Sequence, residues 1–204
     1  MEQSFNIAWF KLAECVTKGE KERALAMHKL LSHSIESEAF TLQIEADLLC
    51  AFKDKEAENV YEQAAYLYIK NKKLKEALFL YKKLITLFPN NRNHIKTFLQ
   101  TCYNYNIVTQ TMVPILKNIN IKAVSELINE ITIKSTPAKK GAFYEKITLE
   151  LQKYNLSFQL LVAYAQKAIE CYVKTNDKLL TAFLTKVAAL NKNLHKELLE
   201  NLKK

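Results

Sequence analysis

The side chains able to do chemistry in this chain are four histidines, four cysteines, a few paired carboxylates and a run of lysines interleaved with tyrosines. His28, His33, His94 and His195 include no pair at i, i+4 spacing, and none has the acidic neighbour of a zinc-hydrolase helix. Cys15, Cys50, Cys102 and Cys171 are widely spaced and form no CxxC pair, so they read as buried, reduced thiols and not as zinc ligands or a disulfide framework. Glu20 with Glu22, and Glu56 with Glu58, fall in expected turns and first helical turns, where acids complement the helix dipole. With two glycines in 204 residues, the chain has no GxSxG, GxxxxGK[ST] or GxGxxG sequence and little material for a phosphate-cradling loop. These residues predict a non-enzymatic protein without a cofactor or resident metal.

The lysines offer binding instead of bond-making. Lys70, Lys72, Lys73 and Lys75 form a basic ridge, continued by Lys82 and Lys83 and balanced locally by Glu76. The formal net charge of +9 is uneven: residues 1–62 hold 7 basic and 12 acidic side chains, which leaves 23 basic and 9 acidic for the remainder. Clustered cations attract nucleic acid or other anionic surfaces. Only Arg23 and Arg92 among the 30 basic residues are arginine, however, and a lysine- and asparagine-rich composition also fits drift without selection for binding.

The elements that must carry these groups are helices. The composition, 49% hydrophobic and 25% charged, is that of a folded globular chain, and the scarcity of glycine and proline leaves little for the hairpins of a β fold. No apolar run approaches the roughly 18 residues of a membrane span, and no basic leader precedes the first apolar stretch, so a cytoplasmic protein is expected. Periodicity from near Phe5 through Trp9, Leu12, Ala13 and Val16 predicts a first helix, with Gly19 suited to a positive φ after its end. A second helix follows through Ala24, Leu25, His28 and Leu31, and a third through Leu42, Ala46 and Leu49 to the turn at Lys53.

The helix from Glu56 to Ile69 reads in two phases. It can close a hairpin begun by Ala46 and Leu49, or open one continued by Ala77, Tyr81 and Leu84. Ile119 to Lys134 is rich in β-branched residues, but Ala123, Val124, Leu127, Ile128 and Ile131 keep helical spacing. Thr136 and Pro137 give a helix-start signal. Helices are then expected over 138–154, 156–174 and 178–190, with a lysine-rich helix last, about twelve in all.

Residues 58–91 carry a recognisable pattern: Tyr61, Ala64, Ala65 and Tyr68 on one helix, Ala77 and Tyr81 on the next, and Pro89 at the end. This segment resembles the tetratricopeptide repeat, a helix-turn-helix unit of 34 residues. Small residues at Ala65 and Ala77 suit the place where two helix axes approach. The turn Asn71-Lys72-Lys73 lacks the usual glycine, and Asn71 is the residue expected to turn left-handed. A 34-residue step puts Ile95, Phe98, Leu99 and Cys102 on the next first helix, with Asn106 at its turn and Thr111 where the pattern has alanine. A weaker unit follows from Val162, turning at Asn176 and Asp177.

The resemblance implies an all-α, right-handed α-α superhelix, with residues 1–117 as repeats and 118–204 as a divergent helical-repeat or bundle continuation. It also implies a concave groove that takes a peptide or helix of a protein partner. The corresponding residues are Asn59, Glu62, Tyr66 and Ile69 with Lys70 at the rim, then Asn93, Lys96, Gln100 and Tyr103. Some family members hold a terminal carboxylate in this groove; Asn59, Glu62, Gln63 and Tyr66 do not support that specialisation. Binding of single-stranded RNA, through lysine contacts to phosphate and tyrosine stacking on bases, is the alternative.

Overall fold

The computed structural model describes residues 2–108, 110, 112–118, 121–154, 157–175 and 177–203. Among them are twelve helices and no strand: α1 (Glu2–Thr17), α2 (Lys21–Ser32), α3 (Glu38–Ala51), α4 (Glu56–Lys70), α5 (Leu74–Leu87), α6 (Arg92–Asn104), α7 (Met112–Asn118), α8 (Ile121–Ile131), α9 (Pro137–Gln152), α10 (Phe158–Val173), α11 (Asp177–Leu190) and α12 (Lys192–Leu202). The β-branched stretch after residue 119 is therefore helical, as its spacing predicts. Thr111, Leu156 and Asn176, to which the sequence assigned a repeat position, a helix start and a turn, lie outside the described residues.

Local chemistry sets the helix ends. Side chains of Ser37, Thr136, Ser157 and Asn191 accept from the backbone N–H three residues on and start α3, α9, α10 and α12. Four helices finish differently, on a residue with positive φ: Gly19 (74°) after α1, Lys53 (56°) after α3, Lys72 (59°) after α4 and Asn106 (54°) after α6. At each, the left-handed residue donates its N–H to the carbonyl three back, and the next residue donates to the carbonyl five back. After α4 these bonds are Lys72 to Ile69 at 3.0 Å and Lys73 to Tyr68 at 2.8 Å. All four are Schellman turns, which satisfy otherwise orphaned helix carbonyls. The left-handed residue after α4 is thus Lys72 and not Asn71, whose φ is −85°. The 5→2 and 6→1 bonds fix its position, two beyond the last helical residue, whichever side chain stands there.

The chain divides into two compact units, Met1–His94 and Ile95–Lys204, with the division falling inside α6. In the first, Leu12, Cys15, Ala24, Leu31 and Leu48 form one core, packed by Trp9, Ile44 and Phe52. Ala39, Ala46, Ala57, Ala64, Ala65 and Ala77 are all buried, and this small-residue seam lets α3, α4 and α5 approach closely. Tyr61 and Tyr68 on α4, and Leu80 and Leu84 on α5, fill the space beside it.

In the second unit α10 is the central helix, in contact with α8, α9, α11 and α12. Ala165, Ala168, Tyr164 and Tyr172 are its buried face. Gly141 on α9 sits against that face: a Cβ there would lie 2.7 Å from Tyr172 Cε1 and 3.1 Å from Cys171 Cβ, so only glycine permits the approach. Among the described residues, no helix is long and apolar enough to cross a membrane.

Candidate functional site

The exposed side of α4 follows from what its other side buries. Ala57, Val60, Tyr61, Ala64, Ala65 and Tyr68 face the core, which leaves Asn59, Glu62 and Tyr66 exposed at i, i+3 and i+7. Ile69 is half-buried at the same edge, and Lys70 is exposed at the helix end. These residues form one strip. Its polar members are held in place: Asn59 donates to Glu56 Oε1 at 2.6 Å, and Gln63 donates to Asn59 Oδ1 at 3.3 Å. Tyr66 stands out from the strip with 63% of its surface exposed, an aromatic face without a core to fill.

The α6 residues behave differently. Asn93 and Gln100 are exposed, while Lys96 is half-buried and ion-paired with Glu130 at 3.0 Å. Tyr103, assigned to the groove wall by the resemblance, is 4% exposed, with its ring edge-on to Phe143 at 5.2 Å. Lys139 Nζ sits 4.9 Å from the centre of the same ring. Burial makes Tyr103 a packing residue, because an aromatic ring at the end of α6 covers more apolar area against α9 than it would facing water. The structure therefore brings the α4 set together as an open strip and sends Tyr103 of the α6 set into the core. Lys70, Lys72, Lys73 and Lys75 are all exposed around the Schellman turn that closes α4.

Three polar clusters escaped sequence reasoning. His94, at the start of α6, is 1% exposed and lies between two carboxylates of α4. Its Nε2 is 2.7 Å from Glu58 Oε1, and Glu62 Oε1 is 3.1 Å from Nδ1 without hydrogen-bond alignment. Asn91 donates to the same Glu58 oxygen at 2.8 Å. Hydrogen bonds from Asn91 and, after it, His94 hold the Glu58 carboxyl below the usual carboxylate range, against the effect of burial. Glu58 is therefore more than a solvated first-turn acid: it ties the strip-bearing helix to Asn91, in the loop after Pro89, and to His94.

The other two clusters share one plan. On α3, Asp47 accepts from the Tyr61 hydroxyl of α4 and from Lys83 Nζ of α5 at 2.6 Å, with Lys83 4.9 Å from the Tyr61 ring centre. On α9, Glu145 accepts from the Tyr172 hydroxyl of α10 at 2.5 Å and from Lys186 Nζ of α11 at 2.6 Å. Each carboxylate thus joins three successive helices through a tyrosine and a lysine. Burial, followed by the carboxylate hydrogen bond, pushes both tyrosine pKa values up, which keeps the hydroxyls protonated as donors.

Among the described residues no group of three His, Cys, Asp or Glu side chains is arranged to hold a metal ion. The arrangement on α4 supplies fixed polar and aromatic surface, braced from behind by part-buried hydrogen bonds. Compared with family models, curated proteins and solved structures, the chain finds no match in any of the three.

Proposed function

We propose that the chain is a non-enzymatic protein-interaction module whose helical hairpins stack as a right-handed α-α superhelix, and that it takes an extended peptide of a protein partner along α4. The observation that carries this reading is the strip Asn59, Glu62 and Tyr66, with Tyr66 63% exposed on a helix whose opposite face is fully packed. Amides suit the main chain of a peptide, and an exposed tyrosine covers its side chains at small entropic cost. The hairpin stack is supported by the Schellman turns: Gly19 and Lys53, and again Lys72 and Asn106, lie one 34-residue step apart in sequence and share one backbone geometry.

A photo-crosslinking residue placed at Tyr66 tests the reading. The expected result is one dominant protein adduct in expressing cells, absent when the same group replaces Glu200 on α12. No adduct from position 66, or equal adducts from both positions, refutes it. Titration with a labelled single-stranded RNA at two salt concentrations decides against the alternative that the exposed Lys70–Lys75 ridge suggests. Tight RNA binding that falls steeply with salt would replace the peptide reading by a nucleic-acid one.

A further inference from the structure

The second unit contains a cavity of about 480 Å³ where α8, the start of α9 and the end of α10 meet. Its size falls in the range of roughly 300–1,000 Å³ typical of small-molecule sites. Two of its lining hydroxyls are buried and have no well-aligned hydrogen-bond partner, each having only the other close by: Ser125 Oγ, on a residue 8% exposed, and Tyr144 OH, on a residue 1% exposed. A buried hydroxyl left without a partner is costly, which is the usual mark of a group awaiting a ligand or water. Tyr144 is pushed up to about 12, chiefly by burial and against a smaller lowering by a weak hydrogen-bonding contact with Ser125, so its hydroxyl stays a donor near neutral pH.

The charge of the cavity is cationic. Lys140, Lys167 and Lys174 line it against one carboxylate, Glu170, whose two oxygens both lie 2.9 Å from Lys167 Nζ. Lys140 also donates to Asn129. Ser135, Pro137 and Lys140 bring the positive end of the 16-residue α9 to the same opening. The wall carries one further feature, Ile133, which is 82% exposed. Hydroxyl donors, ammonium groups and a helix N-terminus together recognise a phosphate dianion, whereas an exposed isoleucine serves an organic group.

We propose that this cavity binds a small phosphate monoester, with its phosphate toward Ser125, Tyr144 and the lysines and its organic part against Ile133. The site is separate from the α4 strip and independent of the function proposed for it.

The test is calorimetric titration of the full chain with a hexose monophosphate, inorganic phosphate and the free hexose. The hexose phosphate is expected to bind one to one, inorganic phosphate about tenfold or more weakly, and the free hexose not at all. Ser125→Ala and Lys174→Gln are each expected to weaken the ester about fivefold or more with an unchanged circular dichroism spectrum, while Lys72→Gln in the first unit leaves affinity unchanged. Lys174 is exposed, so its variant remains informative if Ser125→Ala disturbs the fold. Absence of binding by both phosphates at about 10 mM overturns the site. Equal affinity for inorganic phosphate and the ester overturns the ester assignment, and equal weakening by Lys72→Gln shows diffuse attraction to a basic chain in place of a site.

Discussion

Gly141→Ala sets two effects of opposite sign against each other. In an isolated helix, alanine stabilises by about 1 kcal/mol relative to glycine. Here the added methyl would stand 2.7 and 2.9 Å from two ring carbons of Tyr172, whereas ordinary contact begins at 3.4 Å. The ring has no easy retreat. It is 2% exposed, its hydroxyl is bonded to Glu145 at 2.5 Å, and it packs against Phe183 with centroids 6.1 Å apart. Cys171 Cβ, at 3.1 Å, can withdraw only if α10 itself moves. Overpacking of this kind costs about 1–3 kcal/mol; with neither the ring nor the α10 backbone able to yield, the upper part of that range, about 2–3 kcal/mol, applies and leaves a net loss of about 1–2 kcal/mol after the propensity gain. For a chain of this length that lowers the melting temperature by roughly 2–8 °C, measured by circular dichroism at 222 nm and checked by urea denaturation. In a Tyr172→Leu background the ring is gone, and the same alanine should be neutral or stabilising, a coupling of at least about 1 kcal/mol. Gly141→Ala that is as stable as the parent, or more so, would refute the close approach of α9 and α10.

Removing Glu145 as Glu145→Ala strands the Tyr172 hydroxyl in the core and should cost about 1–3 kcal/mol, whereas Lys186→Ala, at a side chain 56% exposed, should cost less than about 1 kcal/mol; equilibrium urea unfolding separates them. Lys72→Gly should stabilise by about 0.5–1 kcal/mol, because glycine enters the left-handed region without a side-chain penalty; a loss measured in the same assay would contradict the positive φ. Buried Tyr61, Tyr68, Tyr81, Tyr144, Tyr164 and Tyr172 all have pKa values raised above the free value, mainly by burial, with Tyr81 and Tyr144 reaching about 12. Their protonated forms are the ones the fold favours, so this stability is complete below about pH 10 and is lost as pH rises toward 12. The absorbance of these six among the ten tyrosines should therefore change together with helicity in that window, and ionisation of more than the other four in an intact fold would count against the burial. At the acid end, Glu58 is held low, so its contribution is present above the unfolded carboxylate value near 4 and disappears as pH falls below it. Asn91→Ala should flatten that part of a pH-dependent melting curve.

Much of the helical layout was legible because short-range chemistry sets it. The cap at Thr136, the turn after Gly19 and the spacing of Val124, Leu127 and Ile128 each depend on a few neighbouring residues. Even the double reading of the helix from Glu56 has a physical counterpart. Lys53 repeats Gly19 after 34 residues and Asn106 repeats Lys72 after 34, so α4 follows one such step and precedes the next. The exposed strip of α4 was also readable, since Tyr61, Ala64, Ala65 and Tyr68 recur at i, i+3, i+4 and i+7 and so mark the face that is buried. Tyr103 was not, because spacing alone cannot tell a ring facing a groove from one covered by Phe143. The polar clusters lay further out of reach: Asp47 is 14 residues from Tyr61 and 36 from Lys83, and Glu145 is 27 from Tyr172 and 41 from Lys186. No local pattern joins an acid to a tyrosine one helix away and a lysine two helices away.

The Schellman turns bear on how this chain tolerates mutation. Their paired bonds are made entirely by main-chain atoms, so no side chain is a chemical part of the closure. Changing the left-handed residue from glycine to lysine alters stability by about 0.5–1 kcal/mol, and to asparagine by less, but leaves donors and acceptors where they were. A helical hairpin can hold its register without a turn glycine, as those closed at Lys53 and Lys72 do. Substitutions there act as adjustments of stability, and the path of the backbone is insulated from them.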